Sequence, residues 1–302
     1  MKISDSIYLR GINRIKSFWG HTLYPQKDKL WLVIWITGIL LLIWWNAIFL
    51  NRPAFKRLLT GFGNTLFIAS LVIVFTLILS WIMTWFLYVL RHQKKRWGFM
   101  SVTFVLNLIR SVPQIVGILF AYVAVQGMLY RGMISSDVNI FVLTALAISL
   151  FIFLEVVDLM QERIRYFQNL DFYNAMRVCG FTDWRIINFH ILWKNSRIHI
   201  LNKVISVFGM AVFLQCSVDF IISVGLSTQV SAVNLPTTLG SLLANIDSKQ
   251  DILAIGYSLS HPGYISNLFF KHLQGLSTAF ILVFTLLSVF KISNGFADRY
   301  RL

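Results

Sequence analysis

Between Leu58 and Leu90 the chain runs for 33 positions without one Asp, Glu, Lys, Arg or His. A helix needs only about 20 apolar residues to cross the hydrocarbon of a bilayer. In that medium backbone N–H and C=O groups must pair within the protein, so a lone apolar run of this length is constrained to be helical. Composition extends the constraint to the whole chain. Of its 302 residues, 57% are apolar and 13% charged, whereas soluble domains carry about a quarter charged residues. Much of the surface must therefore face lipid.

Charge punctuation places spans at 31–50, 63–88, 112–130, 139–158, 204–226 and 274–292, six in all. The third follows an apolar stretch too long for one crossing. Arg110 and Pro113 interrupt it, and proline removes a helical hydrogen bond. Residues 97–110 are therefore expected along the inner interface, with the crossing starting near Pro113. Loops are expected at 51–60, 91–97 and 131–138, with longer connections at 159–203 and 227–273.

The net charge of +15 follows topology. With the amino terminus placed inside, twenty basic residues fall on inner segments and six on outer ones, Arg110 lying at the inner boundary. That bias puts both termini in the cytoplasm of a multi-pass membrane protein. It needs no polyanion, and no aromatic-interleaved basic surface suggests nucleic acid. Residues 1–29 read as an amphipathic tail on membrane lipid, with Ile3, Ile7, Ile12, Ile15 and Phe18 among basic residues. Trp31, Trp35, Trp44 and Trp45 fall near the ends of the first span, where rings anchor at headgroups. Cys179 and Cys216 lie in different regions and form no CxxC pair.

The connection at 159–203 is the informative one. Asp171 suits a helix start, Ala175 and Met176 favour helix, and Gly180 permits the left-handed geometry that ends one. Thr182 or Asp183 can cap a second helix from Trp184. On it Trp184, Ile187, Ile191 and the pair Phe189/Trp193 are expected to form an apolar side, with Arg185, Lys194 and Arg197 elsewhere. The expected product is a stiff hairpin joining the fourth and fifth spans. In the outer connection, Leu239, Leu242, Leu243, Ile246 and Leu253 suggest a short helix.

The segment Asn174-Ala175-Met176-Arg177-Val178-Cys179-Gly180, followed by Trp184-Arg185-Ile186-Ile187 and His190-Ile191-Leu192, resembles the cytoplasmic signature loop of ABC importer permeases. It is similar to the dipeptide/oligopeptide/nickel branch. Val224-Gly225-Leu226, Leu239-Gly240 and Asn294 to Arg301 continue that likeness. Asn174 stands where the signature has Glu, Met176 where it has a second Ala, and Trp193-Lys194 where Pro-Asn is usual. The glycine-rich segment often found after the first span is missing.

The resemblance implies an all-α membrane protein with the MetI-like type I ABC permease fold: six transmembrane helices and a cytoplasmic coupling-helix hairpin. It implies a first helix at 30–50, a permease domain at 61–292 and a cytoplasmic tail at 293–302. Asp171, Phe172, Asn174, Ala175, Met176, Arg177 and Gly180 would carry the contact with a cytoplasmic ATPase. A second homologous permease subunit, two ATPase subunits and an external, periplasmic solute-binding protein would complete the assembly. The cargo would be a peptide or similar small solute. ATP and Mg would bind the partner subunits, with no cofactor in this chain.

No Gly-rich phosphate loop and no nucleophile–base set stands out, so the chain is read as non-enzymatic. His190 and His199 have no companion ligands for a metal. Glu155 and Asp158 are expected in a helix-end ion network with Arg110 or the hairpin arginines. Asp219, in the outer half of the fifth span, is expected to line a pathway for a cationic or amino-terminal group. A reading from another class is a membrane scaffold or assembly protein whose hairpin recruits a partner that is not an ATPase.

Overall fold

The computed structural model describes residues 26–93, 96–133, 136–225, 236–270 and 273–300. Apart from its last four positions, the expected amphipathic tail lies outside the described residues. All regular structure among them is helical. In chain order the elements are α1 (Lys27–Phe49), α2 (Arg52–His92), α3 (Arg96–Ser111), α4 (Gln114–Tyr130), α5 (Asp137–Gln168), α6 (Asp171–Val178) and α7 (Asp183–Arg185). A π-helical segment (Ile186–Asn195) continues α7, followed by α8 (Arg197–Gly225), α9 (Leu239–Ala244), α10 (Ile246–Ser260), α11 (Ile265–Phe270) and α12 (Leu273–Tyr300).

Helices α1, α2, α5, α8 and α12 are each long and apolar enough to cross a membrane. Helices α3 and α4 pass the same test only together and bend by 94° at the break before Gln114, so the count is five, or six when the bent pair is taken as one span. The break falls where Pro113 was expected to make it. At 17 residues α4 spans only about 26 Å, just short of a typical hydrocarbon thickness. Helix α3 packs Phe99, Val102, Leu106 and Ile109 against Leu87, Phe153, Leu154 and Val157, and leaves Trp97, Met100 and Phe104 exposed. This one-sided pattern is that of a helix lying along the bundle's edge.

Several loops are shorter than the sequence suggested. Residues 52–60 are helical, because Pro53 sits in the first turn, where a missing N–H costs nothing. Helix α2 is thus 41 residues and about 61 Å long. Helix α5 continues to Gln168 and α8 starts at Arg197, so only 169–196 lies between them. Residues 293–300 are helical, as the continuation of α12. The described residues of the connection at 227–273 hold α9, α10, a 3-10 turn at Pro262–Tyr264 and α11, more than one short helix.

In lipid, helices associate by close packing and interhelical hydrogen bonds more than by apolar burial. The seam between α2 and α5 is built that way. Thr65, Ala69, Thr76, Ser80 and Thr84 are buried near fourfold spacing on α2. They let α5 approach with Ala145, Ile148, Ile152 and Val156. The Ser80 hydroxyl donates to the Phe153 carbonyl at 2.8 Å. Helix α1 is peripheral: 11% of its apolar window is buried, against 61% for α5. It pairs chiefly with α12. Gly295 of α12 faces the start of α1, where an added Cβ would come within 2.6 Å of the Asp28 amide nitrogen. Beside it Arg299 pairs with Asp28 at 2.7 Å and Lys27 with Asp298 at 3.4 Å. Three of the four tryptophans of the first span face protein neighbours. Trp35 donates to Thr285 at 3.1 Å, Trp31 lies under Lys291, and Trp45 packs on Phe49 and Phe270; Trp44 points outward.

Candidate functional site

The hairpin joins α5 to α8 through α6, Gly180 and the π-helical segment. Helix α6 ends in a left-handed Gly180, φ +81°. The Phe181 amide donates to the Met176 carbonyl at 3.2 Å, and the Gly180 amide to Arg177 at 3.0 Å. These are the paired bonds of a Schellman turn, which glycine enters without a Cβ penalty. No atom lies within 4 Å of a Cβ added at Gly180, so the backbone angle alone selects glycine.

One expectation for the helix starts is corrected. Leu170, not Asp171, occupies the cap position of α6, and Asp171 is the first helical residue. Thr182 occupies the cap position of α7 as expected, but its side chain accepts no capping bond. Asp183 has a larger role. One carboxylate oxygen accepts from the Tyr88 hydroxyl at 2.9 Å and lies 3.7 Å from His92 Nε2. The other accepts from the Tyr173 hydroxyl at 3.2 Å and pairs with Arg177 Nε at 3.3 Å. The two tyrosine hydroxyls are 3.0 Å apart. Asp183 therefore fastens both arms of the hairpin to the last turn of α2. Trp184 adds an edge contact to Trp85 at 4.5 Å, and Trp81 donates to Asn188 at 2.7 Å.

The second arm is also corrected in its buried side. Ile186, Ile187, Ile191 and Leu192 face the core, while Trp184, Phe189 and Trp193 are exposed. The buried pairs recur after five residues, the repeat of an i→i+5 winding rather than of an α-helix. On the first arm Tyr173 is buried, and Phe172 and Met176 pack half-buried against the same core. Asp171, Asn174, Ala175, Arg177, Val178, Cys179 and Gly180 are exposed. Of the expected contact residues, five thus share the outward face, and Phe172 and Met176 support it from beneath. Arg177 is committed to Asp183, so its guanidinium is shared between the clamp and the surface.

Glu155 and Asp158 form the expected ion network. Arg110 pairs with Asp158. Lys203 of α8, rather than a hairpin arginine, pairs with Glu155 at 2.7 Å, and Gln114 donates to Glu155 at 3.3 Å.

Asp219 lies apart from the hairpin, toward the other end of α8. It is buried and accepts from the Thr238 hydroxyl at 2.6 Å. The Tyr122 hydroxyl of α4 faces the same carboxylate. Gln215 approaches it too, but its amide meets no hydrogen-bond geometry with a described residue. Thr238 and Ser241 cap α9 reciprocally, and the Leu239 amide donates to Thr65 at 3.0 Å. Asn64 donates to the Thr237 carbonyl at 2.8 Å. Helix α9 is therefore sunk into the bundle against α2 and α8, a placement that apolar spacing alone does not predict. Because asparagine keeps an acceptor for Thr238, Asp219→Asn is expected to change stability by less than about 1 kcal/mol in a thermal melt in detergent.

No family model matches this sequence, and a search of curated proteins finds no match.

Proposed function

We propose that this chain is one permease half of an ATP-driven importer of the bacterial inner membrane, taking up a peptide or similar small solute. The hairpin would lie on the cytoplasmic side and seat its α6 face in a groove of an ATPase subunit. The observation that carries the reading is the clamped hairpin, fastened by Asp183 to α2 and continuous with α5 and α8. A displacement of such an element reaches three spanning helices at once, which suits rigid-body transmission. The signature-like order from Asn174 to Leu192 supports the same reading.

A second, homologous permease would complete the pathway. Two ATPases would bind and hydrolyse ATP with Mg, and an external solute-binding protein would deliver cargo. This chain would be a transport subunit without its own catalysis.

The test is purification of the tagged full chain from its native membranes in mild detergent, assaying co-purifying proteins for ATP hydrolysis and the membranes for solute uptake. An ATPase subunit is expected with the wild type. Gly180→Val strains the left-handed position by about 1–2 kcal/mol. It is expected to leave the bundle folded and to lower uptake by about tenfold. A complex with no ATPase would favour the scaffold reading instead, and full uptake with Gly180→Val would show that the hairpin turn does not carry the coupling.

A further inference from the structure

At the hairpin end of the bundle a cavity of about 350 Å³ opens between α2 and α5. Thr84, Leu87 and Ile164 are buried at its wall. Arg91, Arg165, Gln161 and Gln168 line it as well. Along each helix these residues cover about two turns, or roughly 10 Å. The cavity thus grades from apolar to cationic over about the depth of a headgroup and glycerol region.

Its charge is one-sided. The lining contains no carboxylate. Among the described residues neither Arg91 nor Arg165 has an acidic partner; Arg165 only donates to Gln161 at 3.3 Å. The hairpin carboxylate of Asp183 lies behind the lining residues Tyr88 and His92 and is paired with Arg177. Two guanidinium groups from two different spanning helices therefore share one recess without a counter-ion from the protein. Guanidinium matches a phosphate in fork geometry, and basic recesses between membrane helices suit lipid phosphates. The sequence adds Lys94, Lys95 and Arg96 directly after α2's last turn.

We infer that this cavity is a binding site for the phosphate group of an anionic phospholipid, held by Arg91 and Arg165 with the glycerol region toward Leu87 and Ile164. A free phosphate has the same headgroup chemistry but no use for the apolar wall. The assignment does not depend on the importer reading. It requires only a membrane-embedded bundle.

The test is native mass spectrometry of the full chain in an uncharged detergent, with equimolar dioctanoyl-phosphatidylglycerol and dioctanoyl-phosphatidylcholine. The wild type is expected to retain the glycerol lipid about tenfold more than the choline lipid. Arg91→Gln with Arg165→Gln should reduce that ratio to within about twofold, whereas Arg131→Gln at the opposite end of the bundle should not change it. Gln168→Glu, which puts a carboxylate in the recess and keeps both arginines, should lower the ratio as well. Equal retention by the wild type, or a preference that survives both the double variant and Gln168→Glu, would overturn the inference. Displacement of the glycerol lipid by an equimolar amount of inorganic phosphate would assign a soluble-phosphate site and overturn it too.

Discussion

Replacing Asp183 with alanine is expected to free the hairpin from α2 while the helical bundle stays folded. The carboxylate holds the Tyr88 hydroxyl at 2.9 Å, the Tyr173 hydroxyl at 3.2 Å and the Arg177 guanidinium at 3.3 Å. Hydrogen bonds to a charged group contribute about 1.5–3 kcal/mol each when shielded. Here Asp183 is 21% and Arg177 49% exposed, so solvent discounts the ion pair heavily. A local loss of about 2–3 kcal/mol is the resulting expectation. The buried Ile186, Ile187, Ile191 and Leu192 continue to hold the second arm. Hydrogen exchange reads such an opening directly, and amides across 171–185 should exchange roughly 30- to 150-fold faster than in the wild type. Asp183→Asn keeps an acceptor for a tyrosine but loses the ion pairs, and should fall between the two. Wild-type exchange in Asp183→Ala would show that the carboxylate clamps nothing. If the importer reading holds, the loosened hairpin should also lose coupling of ATP hydrolysis to uptake.

The second large effect concerns Gly240. A Cβ there would meet the Cys216 carbonyl oxygen, sit 2.7 Å from the Cys216 Cα and 2.9 Å from the Asp219 Cβ. Two of these atoms are helical backbone, which cannot swing aside as a side chain can. Gly240→Val must therefore lift α9 away from α8. That breaks the bonds from Thr238 to Asp219 and from Leu239 to Thr65, leaving buried polar groups without partners. A destabilisation of about 3 kcal/mol is expected from overpacking. At roughly 2–4 °C per kcal/mol this lowers the melting temperature in detergent by about 6–12 °C. Gly256 of α10 has open space around an added Cβ, so Gly256→Val provides the control. Equal melting temperatures for the two variants would mean that α9 does not sit against α8 as described.

The parts of the fold legible in the sequence are those set by local chemistry. The charge-free run from Leu58 to Leu90 announces α2, Pro113 announces the bend, and Gly180 announces the end of α6. What stayed hidden depends on distant partners. Asp183 looks like a helix cap because capping and clamping use the same carboxylate. Only Tyr88, some hundred positions earlier, decides between them. Helix α9 looks like an ordinary outer helix, although Thr238 and Ser241 at capping-box spacing with an adjacent Gly240 were an available signal of a tight seat. The π winding was also encoded, in the apolar pairs Ile186/Ile187 and Ile191/Leu192. Reading them with α-helical periodicity put Trp184, Phe189 and Trp193 on the wrong side. Residues 51–60 were lost to a polar composition and a proline that in fact opens a helix.

The clasp between Asp28, Gly295 and Arg299 bears on biogenesis. Helix α1 emerges from the ribosome long before its main mate α12, which is completed about 250 residues later. At 5–20 residues per second that interval is roughly 10–50 s. Throughout it α1 has little to rest on but lipid, since its contact with α2 is slight. Its early lipid-facing state is thus a waiting stage. The latch of Arg299 onto Asp28 closes only once α12 has been made, so a chain stalled before α12 leaves α1 unclasped and open to quality-control proteases.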